Sequence, residues 1–312
     1  MSRSRAAGLL AGFVADRWWG DPRHGHPVAL FGTLAGRLEA RLHRDSRVPG
    51  IVHSGVLVGG CTVLGLTAER LTRGRPLWHA GATAVATWTV LGGRSLEREA
   101  SAVHGFLAAH DLPGARHRLT HLVGRDTTEL SAGDIARAVV ESVAENTSDA
   151  VTAPLLWGAV AGIPGLLAHR AANTLDAMVG HRSARYERFG WASARLDDLL
   201  GLPGSRYGAL AVMAAAPGRA AATWAVWRRD AARHLSPNAG VIESAFAGAL
   251  GVRLGGLNRY GDRDEDRAVM GDGAAVAAHD IERATCLARR VGWIAVMGAA
   301  AVSARRGAAA GG

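Results

Sequence analysis

Three carboxylates in the middle of the chain stand at a spacing that could hold a cation. Glu141, Glu145 and Asp149 fall at i, i+4 and i+8 in the run VGRDTTELSAGDIARAVVESVAENTSDAVTAPLLWG, which begins at Val123. On a helix turning about 100° per residue they share one side. Magnesium suits such a set, because it takes one or two carboxylates, keeps several waters and bridges substrate phosphates. The plainer reading is a solvated amphipathic face with Arg137 pairing Glu141. A second polar stripe follows at His169, Asn173, Asp176 and Gly180, spaced i, i+4, i+7 and i+11. Asp197 and Asp198 lie further on, but adjacent aspartates on a helix point about 100° apart, so only one can face a given ligand. Pro237, Asn238 and Gly240 make a turn whose backbone N–H groups could meet a phosphate, ahead of a helix containing Glu243.

The elements that must position these groups are helices. Ser131 followed three residues later by Asp134 is a capping-box signature, so a helix is expected to start near Ala132, with Ile135, Ala138, Val139 and Val143 on its apolar side. Directly after Asp149, residues 150–169 carry no formal charge, enough at about 1.5 Å per residue to cross a bilayer. Other apolar runs fall at 48–68, 76–93, 207–227 and 291–304, the first two reading as a hairpin with Gly59, Gly60 and Ala84 at its contact. The fold expected is all-α: a polytopic helical membrane protein of about four or five membrane segments, forming one domain over 1–312, with a disordered tail at 306–312. Arginine counts put the N-terminus and the Arg125 region on the cytoplasmic side. A straight crossing by 150–168 would then separate the two polar stripes. Pro154, Gly158, Gly162, Pro164 and Gly165 crowd that segment, so it is expected to be broken or re-entrant, which brings both stripes to one cavity. Gly201 and Pro203 are expected to end the helix that carries Asp197 and Asp198.

Composition removes several function classes. The net charge is +9, yet every one of the 36 basic residues is arginine. Without lysine there is neither a GxxxxGK[ST] phosphate loop nor a Schiff base, so phosphate chemistry must rest on arginine, backbone N–H groups and metal. Arginines are spread among loops between apolar runs and aromatic residues make up only 5%, a pattern that fits anionic lipid head groups and no nucleic acid. Cys61 and Cys286 are too few for a disulfide framework or a zinc site. Arg3 and Arg5 before a short apolar run imitate a signal peptide, but no convincing cleavage site follows. Trp18 and Trp19 suit an interfacial belt, and His24 and His26 are read as hydrogen-bonding loop residues rather than metal ligands.

The runs DRWWGDPRHGHPVALFG, ENTSDAVTAPL, NTLDAMVGHR, YERFGWASARLDDLLGLPGSR and SPNAGVIESAFAGALGVRLGG resemble, in order and over nearly the whole chain, the CobD/CbiB family of adenosylcobinamide-phosphate synthases in cobalamin biosynthesis. The resemblance implies a multi-pass enzyme of the bacterial cytoplasmic membrane. It would join cobyric acid to (R)-1-aminopropan-2-ol O-phosphate with ATP and Mg2+, in contact with the lipid bilayer and with other membrane enzymes of the pathway. For that reaction Glu141, Glu145 and Asp149 would carry the metal. Arg125, Asp126, Thr127 and Thr128, with Arg182, Arg185 and Asn238, would hold phosphates. His169 or Asp176 would accept the amine's proton, and Asn173 would orient the acyl group. Two rival classes are a magnesium-dependent prenyl- or phosphatidyl-type membrane transferase and a non-catalytic membrane signalling protein of the same fold.

Overall fold

The computed structural model describes residues 2–22, 25–181, 183–260 and 263–309, with the backbone alone at 257–260, 263–266 and 306–309. In chain order the helices are α1 (Ser2–Trp19), α2 (Pro27–Leu42), α3 (Arg47–Thr72), α4 (Pro76–Val90), α5 (Gly93–Ala108), α6 (Leu112–Leu119), α7 (Ala132–Thr147), α8 (Ala153–Ala161), α9 (Ile163–Leu175), α10 (Trp191–Ala215), α11 (Ala220–Asp230), α12 (Ala239–Leu250) and α13 (His279–Ala309). Three strands, β1 (Val252–Tyr260), β2 (Arg263–Met270) and β3 (Ala274–Ala275), lie between α12 and α13, and π-helical turns occupy Ser148–Thr152 and Asp176–Gly180. The chain divides into two compact units, Met1–Gly92 with Asp149–Gly204 and Ala295–Gly312, and Gly93–Ser148 with Ser205–Ile294.

In the first unit, α1 packs on α4 through GLLAG, where Gly8 and Gly12 lie one turn apart. A Cβ at either position would come 2.5 Å from Thr83 Cβ or from the Ala84 carbonyl, so the two backbones meet where small residues allow it. These contacts replace the anticipated hairpin seam, since Gly59 and Gly60 of α3 face open space. Much of the rest of α3 is bare hydrocarbon, with Val56, Val63 and Leu64 about 60% exposed, a surface that belongs in lipid. Among the described residues two helices, Arg47–Thr72 and His279–Arg305, are long and apolar enough to cross a membrane. A third span results if Trp191–Ala215 and Pro217–Arg233, bent by 105°, count as one. The protein is thus a polytopic helical membrane protein, with fewer full-length spans than expected.

The shortfall has physical causes. Residues 76–93 give α4 of 15 residues, about 22 Å long against the ~30 Å a bilayer core requires. The 207–227 run is interrupted before Pro217. The 150–168 segment is broken, as its prolines and glycines imply, into α8 and α9 at Gly162 (φ 72°, ψ −150°), a backbone region open only to glycine. The freed N–H of Ile163 donates to Glu69 Oε1 at 3.1 Å, and the same carboxylate accepts from Arg5 Nη2 at 3.1 Å and pairs with His79 Nε2 at 3.3 Å. Ser4 Oγ closes the chain on His79 Nδ1 at 2.9 Å. One buried glutamate therefore fastens α1, α4 and α9 to α3. Pro203, expected to stop a helix, instead sits inside α10. The neighbouring turn finds outside partners: Leu200 O accepts from Trp157 Nε1 at 2.8 Å, and Gly204 O from Thr152 Oγ1 at 3.1 Å.

The second unit is built around α7 and α12, whose Val139, Val143, Ile242 and Phe246 share a core with Leu254 and Ile281. Its small sheet, ordered β2-β1-β3, corrects the all-α expectation. In β1, Val252 and Leu254 are buried while Arg253 is exposed, a two-residue alternation that a strand satisfies and a helix does not. β1 runs antiparallel to β2, pairing Leu254 with Met270 and Gly256 with Arg267 across an irregularity, and parallel to β3. The tail is helical to Ala309, and residues 310–312 lie outside the described part.

Gly162→Ala should be severely destabilising: its Cβ would stand 1.9 Å from Glu69 Oε1 and the backbone would carry about 1–3 kcal/mol of strain. Thermal unfolding in detergent checks this, and an unchanged midpoint would mean that the break tolerates a side chain.

Candidate active site

The sequence-predicted residues belong to both units. Arg125, Asp126, Thr127, Thr128, Glu141, Glu145 and Asn238 lie in the second; Asp149, His169, Asn173, Asp176 and Arg185 lie in the first. Arg182, like His24, lies outside the described residues.

In the second unit the capping box forms as expected: Ser131 Oγ accepts from Asp134 N at 3.2 Å, Asp134 Oδ2 accepts from Ser131 N at 3.3 Å, and α7 starts at Ala132. Two turns on, Glu141 is buried and fully engaged. Its Oε2 accepts from Arg125 Nη2 at 3.0 Å, and its Oε1 accepts from the Gly255 N–H at 2.8 Å and from Arg137 Nη1 at 3.3 Å. Arg137 also donates to the Gly255 carbonyl at 2.6 Å, so this carboxylate ties the loop before α7 and strand β1 to the helix. Both oxygens are taken by guanidinium and backbone N–H donors, which is the opposite of a vacant metal ligand. The stripe also ends early: α7 gives way to a π turn after Thr147, which takes Asp149 out of step with Glu141 and Glu145. Among the described residues no group of three or more His, Cys, Asp or Glu side chains is placed to hold a metal ion.

What gathers around Glu141 is a charged cluster that includes a residue not singled out beforehand. All twelve residues of α12 are buried, and Glu243 sits among them, 1% exposed, with neither carboxylate oxygen hydrogen-bonded. Burial first, then the carboxylates of Glu141 and Glu145, pushes its pKa well above the ordinary value of 4.5, against the pull of Arg267 and Arg125. Glu145 is exposed by its accessible area, yet the protein packed around it also raises its pKa, with Arg267 pulling the other way. The arrangement is a charged cluster: Glu145, a fully buried Glu243 with neither oxygen hydrogen-bonded, and the guanidinium groups of Arg125 and Arg267, whose charges act on both.

The remaining predicted residues are mostly engaged within the protein. Asp126 Oδ1 accepts from Thr128 N at 2.9 Å and Thr128 Oγ1 at 2.7 Å, a local turn, and Thr127 is buried. At the 236–240 turn, Ser236 Oγ takes the N–H groups of Asn238 and Ala239, both at 3.2 Å, while Asn238 Oδ1 accepts from Ser205 Oγ and Arg206 Nη1. The turn expected to present free N–H groups to a phosphate has therefore capped them itself. In the first unit His169 is buried with its Nδ1 unbonded, Asn173 is half-buried, and Asp176 opens the second π turn. Arg185 pairs with Glu39 Oε1 at 2.9 Å, which Tyr186 OH also reaches at 2.8 Å. His26 caps α2 by accepting from Val28 N at 3.2 Å and lies 3.6 Å from Asp21 Oδ1, the loop role expected of it.

A family model described as "CobD/Cbib protein" matches residues 9–288. The chain is 50% identical over 292 residues to the cobalamin biosynthesis protein CobD of Mycobacterium tuberculosis, covering 93% of each. It is 43% identical over 287 residues to the protein of that name from Rhodobacter capsulatus, covering 90% of each, and 43% identical over 277 residues to that of Geobacter metallireducens, covering 85% of this chain and 86% of the relative. This chain belongs to the CobD/CbiB family. No solved structure matches it. As a CobD/CbiB member it is a multi-pass membrane protein, consistent with the cytoplasmic membrane.

Two features of this CobD/CbiB chain escaped the sequence reading although their signals are plain. Glu243 is the sole charged residue between Arg233 and Arg253, and an acid alone in an apolar run is costly unless it is used. The pentapeptide pattern N-T-x-D-A occurs twice, at 146–150 and 173–177, and each time it straddles the passage from α-helix to π turn. Thr147 and Thr174 both donate to the carbonyl four residues back, at 2.6 and 2.8 Å. Single π turns recur at functional sites, and these two mark the two polar stripes.

Glu141→Gln should cost about 3–5 kcal/mol, because it leaves Arg125 buried without its counter-charge, whereas Glu145→Gln should change stability by no more than about 0.5 kcal/mol. Unfolding in detergent separates the two. Glu243 holds its proton more tightly folded than unfolded, so its contribution is complete below about pH 4.5 and is lost as pH rises toward its elevated pKa. Glu243→Gln should therefore gain stability relative to the parent as pH rises above that range. Parallel pH–stability curves would refute the assignment.

Proposed function

We propose that this chain is an ATP-dependent amide ligase. It joins the free propionate of (adenosyl)cobyric acid to (R)-1-aminopropan-2-ol O-phosphate and gives adenosylcobinamide phosphate. Family membership supports an enzymatic role in cobalamin biosynthesis, and the relatives carry that pathway in their names. The observation that carries the finer reading is the charged cluster of the second unit, where the unpartnered carboxyl of Glu243 feels both carboxylates and guanidiniums: the amino-alcohol phosphate bears an ammonium at one end and a phosphate at the other.

A carboxylate and an amine do not condense usefully in water, so the acid must be activated first. The propionate oxygen attacks the γ-phosphorus of ATP, releasing ADP and forming a mixed acyl phosphate. The free amine then attacks the acyl carbon, inorganic phosphate leaves, and one proton passes to a base. Magnesium would accompany the nucleotide substrate and neutralise its phosphate charge. On this reading Arg125 is a positioning residue, held by Glu141 at 3.0 Å and acting on Glu145 and Glu243. Within the first unit, His169 and Asp176 are proposed as proton acceptors, Asn173 as a group that orients an acyl chain and Arg185 as a phosphate contact on that unit's surface.

Purified protein in detergent, given cobyric acid, the amino-alcohol phosphate and Mg·ATP, should yield the amide with one ADP and one phosphate per product, as read by mass spectrometry. Glu145→Gln should lower the rate about 100-fold or more without loss of fold. A lipid product formed without ATP consumption would replace this reading with that of a membrane transferase.

A further inference from the structure

We propose that Glu243, with Glu145 beside it, is the receptor for the ammonium group of the amino-alcohol phosphate, and that the neighbouring guanidiniums of Arg125 and Arg267 set the direction of its phosphate. The inference rests on the ligase reading above and deepens it.

Four observations converge. Glu243 stands in the middle of α12, a helix with no exposed residue, so it serves no solvated surface. Neither of its oxygens has a hydrogen-bond donor, whereas the adjacent Glu141 has three. A buried carboxyl with nothing to accept from is a cost the fold retains, and a cationic ligand supplies both the donors and the counter-charge. Glu145, whose carboxylate acts on Glu243, is exposed, so a small ligand can approach the cluster from there. The cation cannot be a metal held by three or more His, Cys, Asp or Glu side chains, since no such group exists among the described residues. A primary ammonium needs only acceptors at hydrogen-bond distance, without a coordination polyhedron, and it donates three hydrogen bonds to the four oxygens of two carboxylates. The guanidiniums of Arg125 and Arg267, whose charges act on the same acid, suit a dianion, so the cluster offers complementary charge to both ends of a short zwitterion. Glu141 has no part in holding the ligand; its engagement with Arg125 keeps one cationic wall in place.

Calorimetry on the full-length protein in detergent tests this, with (R)-1-aminopropan-2-ol O-phosphate and the amine-free propan-2-yl phosphate as probes. The parent should bind the amino compound at least about tenfold more tightly than the amine-free one. Glu243→Gln, nearly isosteric, should erase that preference and leave the weaker affinity for the amine-free phosphate unchanged. Glu243→Asp should restore part of it. If Glu243→Gln keeps the full preference, the ammonium assignment is wrong while the ligase reading stands. If the parent binds neither phosphate and forms no amide, both fall together.

Discussion

A single buried carboxylate fixes the geometry of the second unit. Glu141 is held by two arginines and a strand N–H, and each of those groups brings a different piece of chain: Arg125 the loop before α7, Arg137 the helix itself, Gly255 the first strand. Buried charges are tolerated only when every oxygen and every N–H has somewhere to point, and the shared partners on Gly255 meet that demand with the fewest atoms. The neighbours of Glu141, Glu145 one turn along α7 and Glu243 on α12, feel both its field and that of its partner Arg125.

The first unit solves a different problem with similar means. A helix that must break at Gly162 exposes a backbone N–H where no water is at hand, and Glu69, brought from α3, accepts it while staying balanced by Arg5 and His79. Interruption of helix within apolar surroundings is tolerable only with such a substitute acceptor. The close approach of Gly8 and Gly12 to α4 belongs to the same logic: where lipid supplies no hydrophobic drive between helices, backbone contact and a few polar anchors hold them.

Much of this was legible in the residues. The capping box placed the start of α7 to the residue, the glycines and prolines of 150–168 announced the break, and the motif runs pointed to the family that the comparisons establish. The misreadings share a cause, which is that periodicity and apolar length are local while partners are not. The i, i+4, i+8 spacing of the acids assumed an ideal helix through Asp149, and a π turn intervenes. Pro203 looked like a stop because the donors that compensate it, Trp157 and Thr152, lie some fifty residues away in sequence. Residues 76–93 passed for a full-length span because absent charge was counted and helix length was not, while 207–227 falls across a bent pair of helices that makes one span only when taken together. Glu243 was passed over because a lone acid in an apolar run carries no spacing pattern at all, although its isolation is itself the sign.

The paired π turns carry a consequence for how the chain should be compared with its relatives. Each wide turn admits one extra residue without completing another revolution, so every side chain downstream is shifted in phase about the axis. A helical wheel drawn continuously through 132–152 or 163–180 therefore misplaces the residues of the π turn relative to those before it.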